Sequence, residues 1–207
     1  MTVSHSPVPA RSDLRVEHDA PVGKPRPFLV HGRVLSMGAL LWAASIAVVG
    51  VSPNDEAPEL LLFGFCSGAF QVGLLFLLRA LYRSNALGEG RVARFFIRFE
   101  TGLVSLAIAS TVVDAIGISD LTQPGWLLLD AFWPFSMLGM FFIGIRIAVA
   151  GRWTGATRFW PMVAESWAVV CVPVLGIFGA GVAQWVGALH LVIGYNVLGI
   201  LVSRKQA

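Results

Sequence analysis

The chain has 207 residues, 56% of them hydrophobic and only 13% charged, with a mean hydropathy of +0.74. A soluble domain carries about 25% charged residues, so half the usual supply of water-facing side chains is missing and an ordinary soluble domain is excluded. The formal net charge of +3 follows from where a membrane protein keeps its arginines, and no nucleic-acid partner is expected.

Residues 1–30 are polar and broken by Pro7, Pro9, Pro21, Pro25 and Pro27, which predicts a disordered, Pro-rich cytoplasmic tail. No apolar core of a cleavable signal peptide precedes the first hydrophobic stretch. Apolar segments then follow at about 35–51, 60–81, 95–118, 125–150, 162–178 and 184–202. Each approaches the roughly 20 residues needed to cross a hydrocarbon layer of about 30 Å. The last two come from one almost unbroken apolar run, too long for a single helix. Gly176, Gly179 and Gly181 place its turn near 178–184. The expected fold is an all-α integral membrane protein, with residues 31–207 forming a single bundle of six transmembrane helices.

Positive charge resists translocation and marks the cytoplasmic side. Under the six-span scheme all 15 basic residues share one side. They fall in the N-terminal tail, the second-to-third connection (Arg79, Arg83, Arg91, Arg94, Arg98), the fourth-to-fifth connection (Arg146, Arg152, Arg158) and the C-terminus (Arg204, Lys205). Asp55, Glu56, Glu59 and Asp120 lie in the opposite loops with no basic residue. Both termini are therefore expected in the cytoplasm, with anionic lipid headgroups as partners of that face. Trp126, Trp153, Trp160 and Trp185 near the span ends are expected at headgroup level. Arginine outnumbers lysine 13 to 2, which points to a GC-rich bacterial source and so to a bacterial plasma membrane.

Ionisable groups at membrane depth are costly and each is a candidate for function. On the third helix Glu100, Ala107, Thr111 and Asp114 share one face. That stripe reads as an ion or solute path with an acid near each mouth, or as two acids fixing helix depth. Asp114 and Asp130 flank a short outer loop, with Trp126 and Trp133 beside Asp130, a pattern able to hold a cation or amine. On the inner side Arg79, Arg98, Arg146 and Glu165 are expected to form an ion-pair cluster, read as a structural clamp or as a pocket for an anionic headgroup. His190, in the sixth span, is either a proton relay or a neutral histidine bonded to a neighbouring helix.

Cys66 and Cys171 sit in apolar runs without metal-ligand spacing, so no metal site and no cofactor are expected. Ser136 lies in WPFSMLG, not in the GxSG of intramembrane serine proteases. Small-residue faces, Ala39–Ala43–Ala47 on the first helix and Gly64–Gly68 on the second, allow close helix approach, within the chain, in a homo-oligomer or against a partner membrane protein. Size, six spans and the alanine ridge together resemble the vitamin-capturing subunits of energy-coupled importers, a likeness of architecture that implies solute capture. Three readings stand: small-solute binding or transport, an enzyme on a lipid or isoprenoid with Glu100, Glu165 or His190 as proton donor, and a non-catalytic accessory subunit.

Overall fold

The structure, a computed structural model, describes residues 26–51 and 57–206. Most of the predicted tail, together with Asp55 and Glu56, lies outside the described residues. The elements are α1 (Leu29–Val49), α2 (Ala57–Arg83), α3 (Arg91–Ala115), α4 (Pro124–Ala150), α5 (Ala156–Glu165), α6 (Trp167–Phe178) and α7 (Ala180–His190), then a π-helical turn (Leu191–Asn196) and α8 (Val197–Arg204). With α5–α6 and α7–α8 each taken as one unit, they make six helices long and apolar enough to cross a membrane. No strand occurs among the described residues.

Helix ends follow backbone signals and not hydropathy alone. Gly50 ends α1 at φ 87°, Gly151 ends α4 in the left-handed conformation, and Pro124 opens α4 after an extended Gln123. Because helical bonding continues into polar sequence, α1 begins at Leu29, about two turns before the apolar stretch does. The fifth span likewise begins at Ala156, earlier than 162. The hairpin between α6 and α7 is tighter than the expected 178–184 loop. One residue, Gly179 at φ 79°, reverses the chain, and that backbone conformation is open to glycine without strain.

Around α1 the helices touch backbone to backbone. A Cβ on Gly32 would collide with the Gly199 carbonyl and with Ser203, and one on Gly38 with the backbone of Ala69 and Phe70. Ser36 Oγ donates to the Asn196 carbonyl at 2.9 Å across the same crossing. Ala39 and Ala43 are buried here, while Gln184 Nε2 donates to the Ala47 carbonyl at 3.0 Å. Ala39 and Ala43 of the ridge are thus covered by the chain's own helices, and Ala47 is half-buried. Gly64 packs on Ala115 and Gly68 faces Thr111, so this face too is used internally, between α2 and α3.

An aromatic cluster fills the middle. Trp42 stacks on Phe70 at 4.9 Å, meets Trp167 at 5.2 Å and Trp133 at 6.2 Å, and Phe70 meets Tyr195 edge-on at 4.7 Å. The outer faces carry Val48, Phe65, Val112, Phe142 and Ile177, each more than half exposed, as lipid-facing helices require.

At one end the basic connections meet. Arg152 Nη1 pairs with Glu89 Oε1 at 3.0 Å, and Trp153 Nε1 donates to Ser84 Oγ at 3.1 Å. Lys205 lies over the Trp153 ring at 5.4 Å. Trp153 is fully buried by these contacts, so it is a core residue of the connection and not a headgroup-level tryptophan.

Candidate functional site

Between α3 and α4 runs a groove of about 850 Å³. Its walls are Phe96 and Phe99 from α3 and Phe132, Phe135 and Phe142 from α4. Four of these rings are more than half exposed on the outer face, so the groove opens sideways, toward the space lipid chains occupy. Glycine at position 139 makes room in this wall for Glu100, whose carboxyl lies directly against that bare backbone. Glu100 is buried to 2% exposure, and its Oε1 has no hydrogen-bond partner. Arg146 lines the basic end of the groove next to Gly88, two turns of α4 beyond Gly139 or about 10 Å along the axis. The side chain that could neutralise it, Glu89, is taken by Arg152.

Glu165 occupies a different place. It ends α5 beside the break at Ser166, where Ser166 Oγ bonds the Val163 carbonyl at 2.7 Å in competition with the helix ladder. Tyr195 Oη donates to Glu165 Oε2 at 2.6 Å, while Oε1 stays without a partner inside the bundle. Glu165 and Glu100 lie within electrostatic reach of each other. The expected ion-pair cluster is therefore not formed: Glu165 bonds a tyrosine instead of Arg146. The one ion pair within 4 Å among the described residues is Arg152–Glu89. The tyrosine competes successfully because it sits on the inward face of the π turn, whereas Arg146 is on the exposed side of α4.

The expected stripe on α3 divides into separate parts. Thr111 exchanges hydrogen bonds with Gln71 of α2, at 2.7 and 3.1 Å, and so ties two helices together. Val104 and Ala107, both buried, separate Glu100 from Thr111 with apolar packing. At the far end Asp114 takes a 3.5 Å bond from Ser110 and lies within electrostatic reach of Asp130. Trp133 does not wall this pair, because its ring packs into the central cluster against Trp42 and Trp167. In the loop before α4, Asp120 accepts from the Thr122 amide at 3.1 Å and hydroxyl at 2.6 Å, and from Gln123 Nε2 at 2.9 Å. The side-chain bonds from Thr122 and then Gln123, with the Thr122 amide, hold the Asp120 carboxyl below the usual aspartate range.

His190 Nε2 lies 3.0 Å from the Val163 carbonyl and 3.2 Å from that of Ala164. Carbonyl oxygens only accept, so this nitrogen carries a proton and the ring bridges α7 to the α5 break. Trp160 returns the contact, donating to the Ile193 and Gly194 carbonyls of the π turn at 3.2 and 3.0 Å. Both side chains tie the α5 break to α7 and the π turn by hydrogen bonds to backbone carbonyls.

Three residues escape a hydropathy-based reading. His31 falls before the first apolar stretch yet is buried within α1, between Phe28 and Phe76, and its Nδ1 has no partner. Gln71 and Tyr195 are lone polar groups in apolar runs, the signal that would have paired them with Thr111 and Glu165. Among the described residues no three His, Cys, Asp or Glu side chains converge on one point. Compared with protein-family models, curated proteins and solved structures, the chain matches none.

Proposed function

We propose that this is a multi-pass protein of a bacterial plasma membrane, with its basic end in the cytoplasm, that binds a long-chain anionic lipid or isoprenoid in the α3–α4 groove. The observation that carries this reading is a phenylalanine-walled cleft, open toward lipid, that ends on a buried carboxyl with no protein partner. Its volume falls in the range of about 300–1,000 Å³ typical of ligand sites. Arg146, with no carboxylate partner among the described residues, holds the anionic head at the mouth, and the chain lies along the phenylalanines. Glu100 then faces the chain about 10 Å below the head, where it serves as hydrogen-bond or proton-transfer partner for a polar or unsaturated group.

Native mass spectrometry of the protein extracted in its own lipids tests this. The wild-type chain should carry a discrete lipid mass, which Arg146→Gln and Gly139→Leu lose. A bare protein mass, or retention in both variants, would overturn it.

A second reading rests on Asp114 and Asp130, whose carboxyls lie within electrostatic reach of each other at the end away from the arginines. They support capture of a cationic solute. Calorimetric binding of amines or alkali cations that survives unchanged in the double Asn variant would sink that reading.

A further inference from the structure

On the other side of α3, at the basic end, a second pocket of about 700 Å³ lies between α2 and α3 and reaches the start of α1. Three kinds of donor line it: the guanidiniums of Arg79 and Arg98, the Tyr82 hydroxyl and the His31 imidazole. Arg98 Nη2 donates to Tyr82 Oη at 3.0 Å and its guanidinium lies over the same ring at 5.6 Å, so this arginine is held in place from two directions. The tyrosine oxygen accepts in that contact and keeps its own hydrogen free to donate. His31, 8% exposed, has an unpartnered Nδ1, and Arg79 and Arg83 lie within electrostatic reach of it. Neither Arg79 nor Arg98 is paired with a carboxylate among the described residues. Leu75, Phe76 and Ile97 continue the pocket away from these donors as an apolar floor.

Cationic donors with no carboxylate to neutralise them, gathered over an apolar floor, define the missing partner: an oxyanion with several acceptor oxygens, attached to or lying beside hydrocarbon. We infer that the α2–α3 pocket is a binding site for a phosphate ester, with Arg79 and Arg98 as its charged arms, Tyr82 and His31 as neutral-donor contacts, and a lipid chain or the bilayer edge against Leu75, Phe76 and Ile97. The site is distinct from the α3–α4 groove, from which it is separated by α3, and shares no lining residue with it.

The test uses the full chain in nanodiscs of phosphatidylcholine containing a minor fraction of phosphatidylglycerol, with retained lipid read by native mass spectrometry. Phosphatidylglycerol should be enriched on the wild type, and Arg79→Gln and Arg98→Gln should each reduce that enrichment about fivefold. Arg204→Gln, an exposed charge at the same end but outside the pocket, should leave it unchanged. A parallel titration with glycerol 3-phosphate in pure phosphatidylcholine nanodiscs separates the two sources. Saturable binding that the same two variants weaken assigns the site to a soluble phosphate ester, whereas enrichment of phosphatidylglycerol alone assigns it to a lipid headgroup. Equal retention of both lipids with no glycerol 3-phosphate binding overturns the proposal, as does an Arg204→Gln effect as large as that of Arg79→Gln. In an Arg146→Gln background, which removes the charged arm of the α3–α4 groove, Arg79→Gln and Arg98→Gln should still reduce the enrichment about fivefold, so the two sites are read separately.

Discussion

Around α1 the helices meet at backbone distance, through Gly32, Gly38, Gly73 and Gly199, whereas α3 and α4 flank a phenylalanine-lined groove of about 850 Å³. Glycine serves both regions with opposite results. At Gly199 the missing side chain lets two backbones touch, and two of the three atoms it would meet are backbone that cannot yield. At Gly139 it makes room for one carboxyl at the end of a flexible side chain. In lipid, where burial of apolar groups gives helices no reason to associate, close packing holds a bundle together. A region that gives up such packing has room for something else, and in this chain that region contains a buried acid without a partner.

The sharpest way to break the comparison is Gly199→Leu. Its side chain would meet the Gly32 carbonyl and the Ser36 backbone, so α1 and α8 must separate. We expect a loss of about 3 kcal/mol or more, seen as collapse of the monodisperse peak in fluorescence-detected size exclusion. Gly102→Ala, on α3 with open space around it, should instead gain about 0.5–1 kcal/mol from helix propensity. Equal destabilisation by the two would show that the regions do not differ. Next in size is Tyr195→Phe, which removes the one donor to Glu165 and leaves both carboxyl oxygens buried without a hydrogen bond. The expected cost is about 1–3 kcal/mol in thermal unfolding, and a variant as stable as wild type would show that the Tyr195–Glu165 contact contributes little.

The two regions were not equally legible in the sequence. Six apolar helices followed from segment length and hydropathy, because each carries enough apolar residues to be read alone. The polar contacts did not, because depth along an axis says nothing about direction around it. Arg146 lies one turn before α4 ends, whereas Glu165 lies nine residues into a helix that starts at Ala156; Glu165 faces the π turn and Arg146 the outside. His31 was missed for another reason: hydropathy placed the start of the first helix two turns late, and so left a buried histidine just ahead of the expected first span. The alanine ridge was recognised as a packing face, but its partner proved to be the chain's own α7–α8, a contact that depends on a glycine hinge at residue 179. Glu100 was singled out by cost alone; the groove it faces comes from ring packing between helices, which no periodicity in one helix encodes.

Two smaller effects sharpen the contrast. Gly139→Ala moves the Glu100 carboxyl without touching backbone, so stability should change by less than about 1 kcal/mol while lipid retention falls. Unchanged retention would place the lipid elsewhere. The smallest effect belongs to the loop joining α3 and α4. Asp120 is ionised more readily in the folded chain than in an unfolded one, because bonds from Thr122 and Gln123 favour its charged form. Its contribution is therefore present above the unfolded value of about 3.9 and is lost as the pH falls through the lower folded value. Asp120→Asn should lower the unfolding temperature slightly at pH 7, and the gap from wild type should narrow as the pH falls below about 4. A gap that persists undiminished at pH 3 would mean that the loop is held by its shape, with the Asp120 charge contributing nothing to the spacing of α3 and α4.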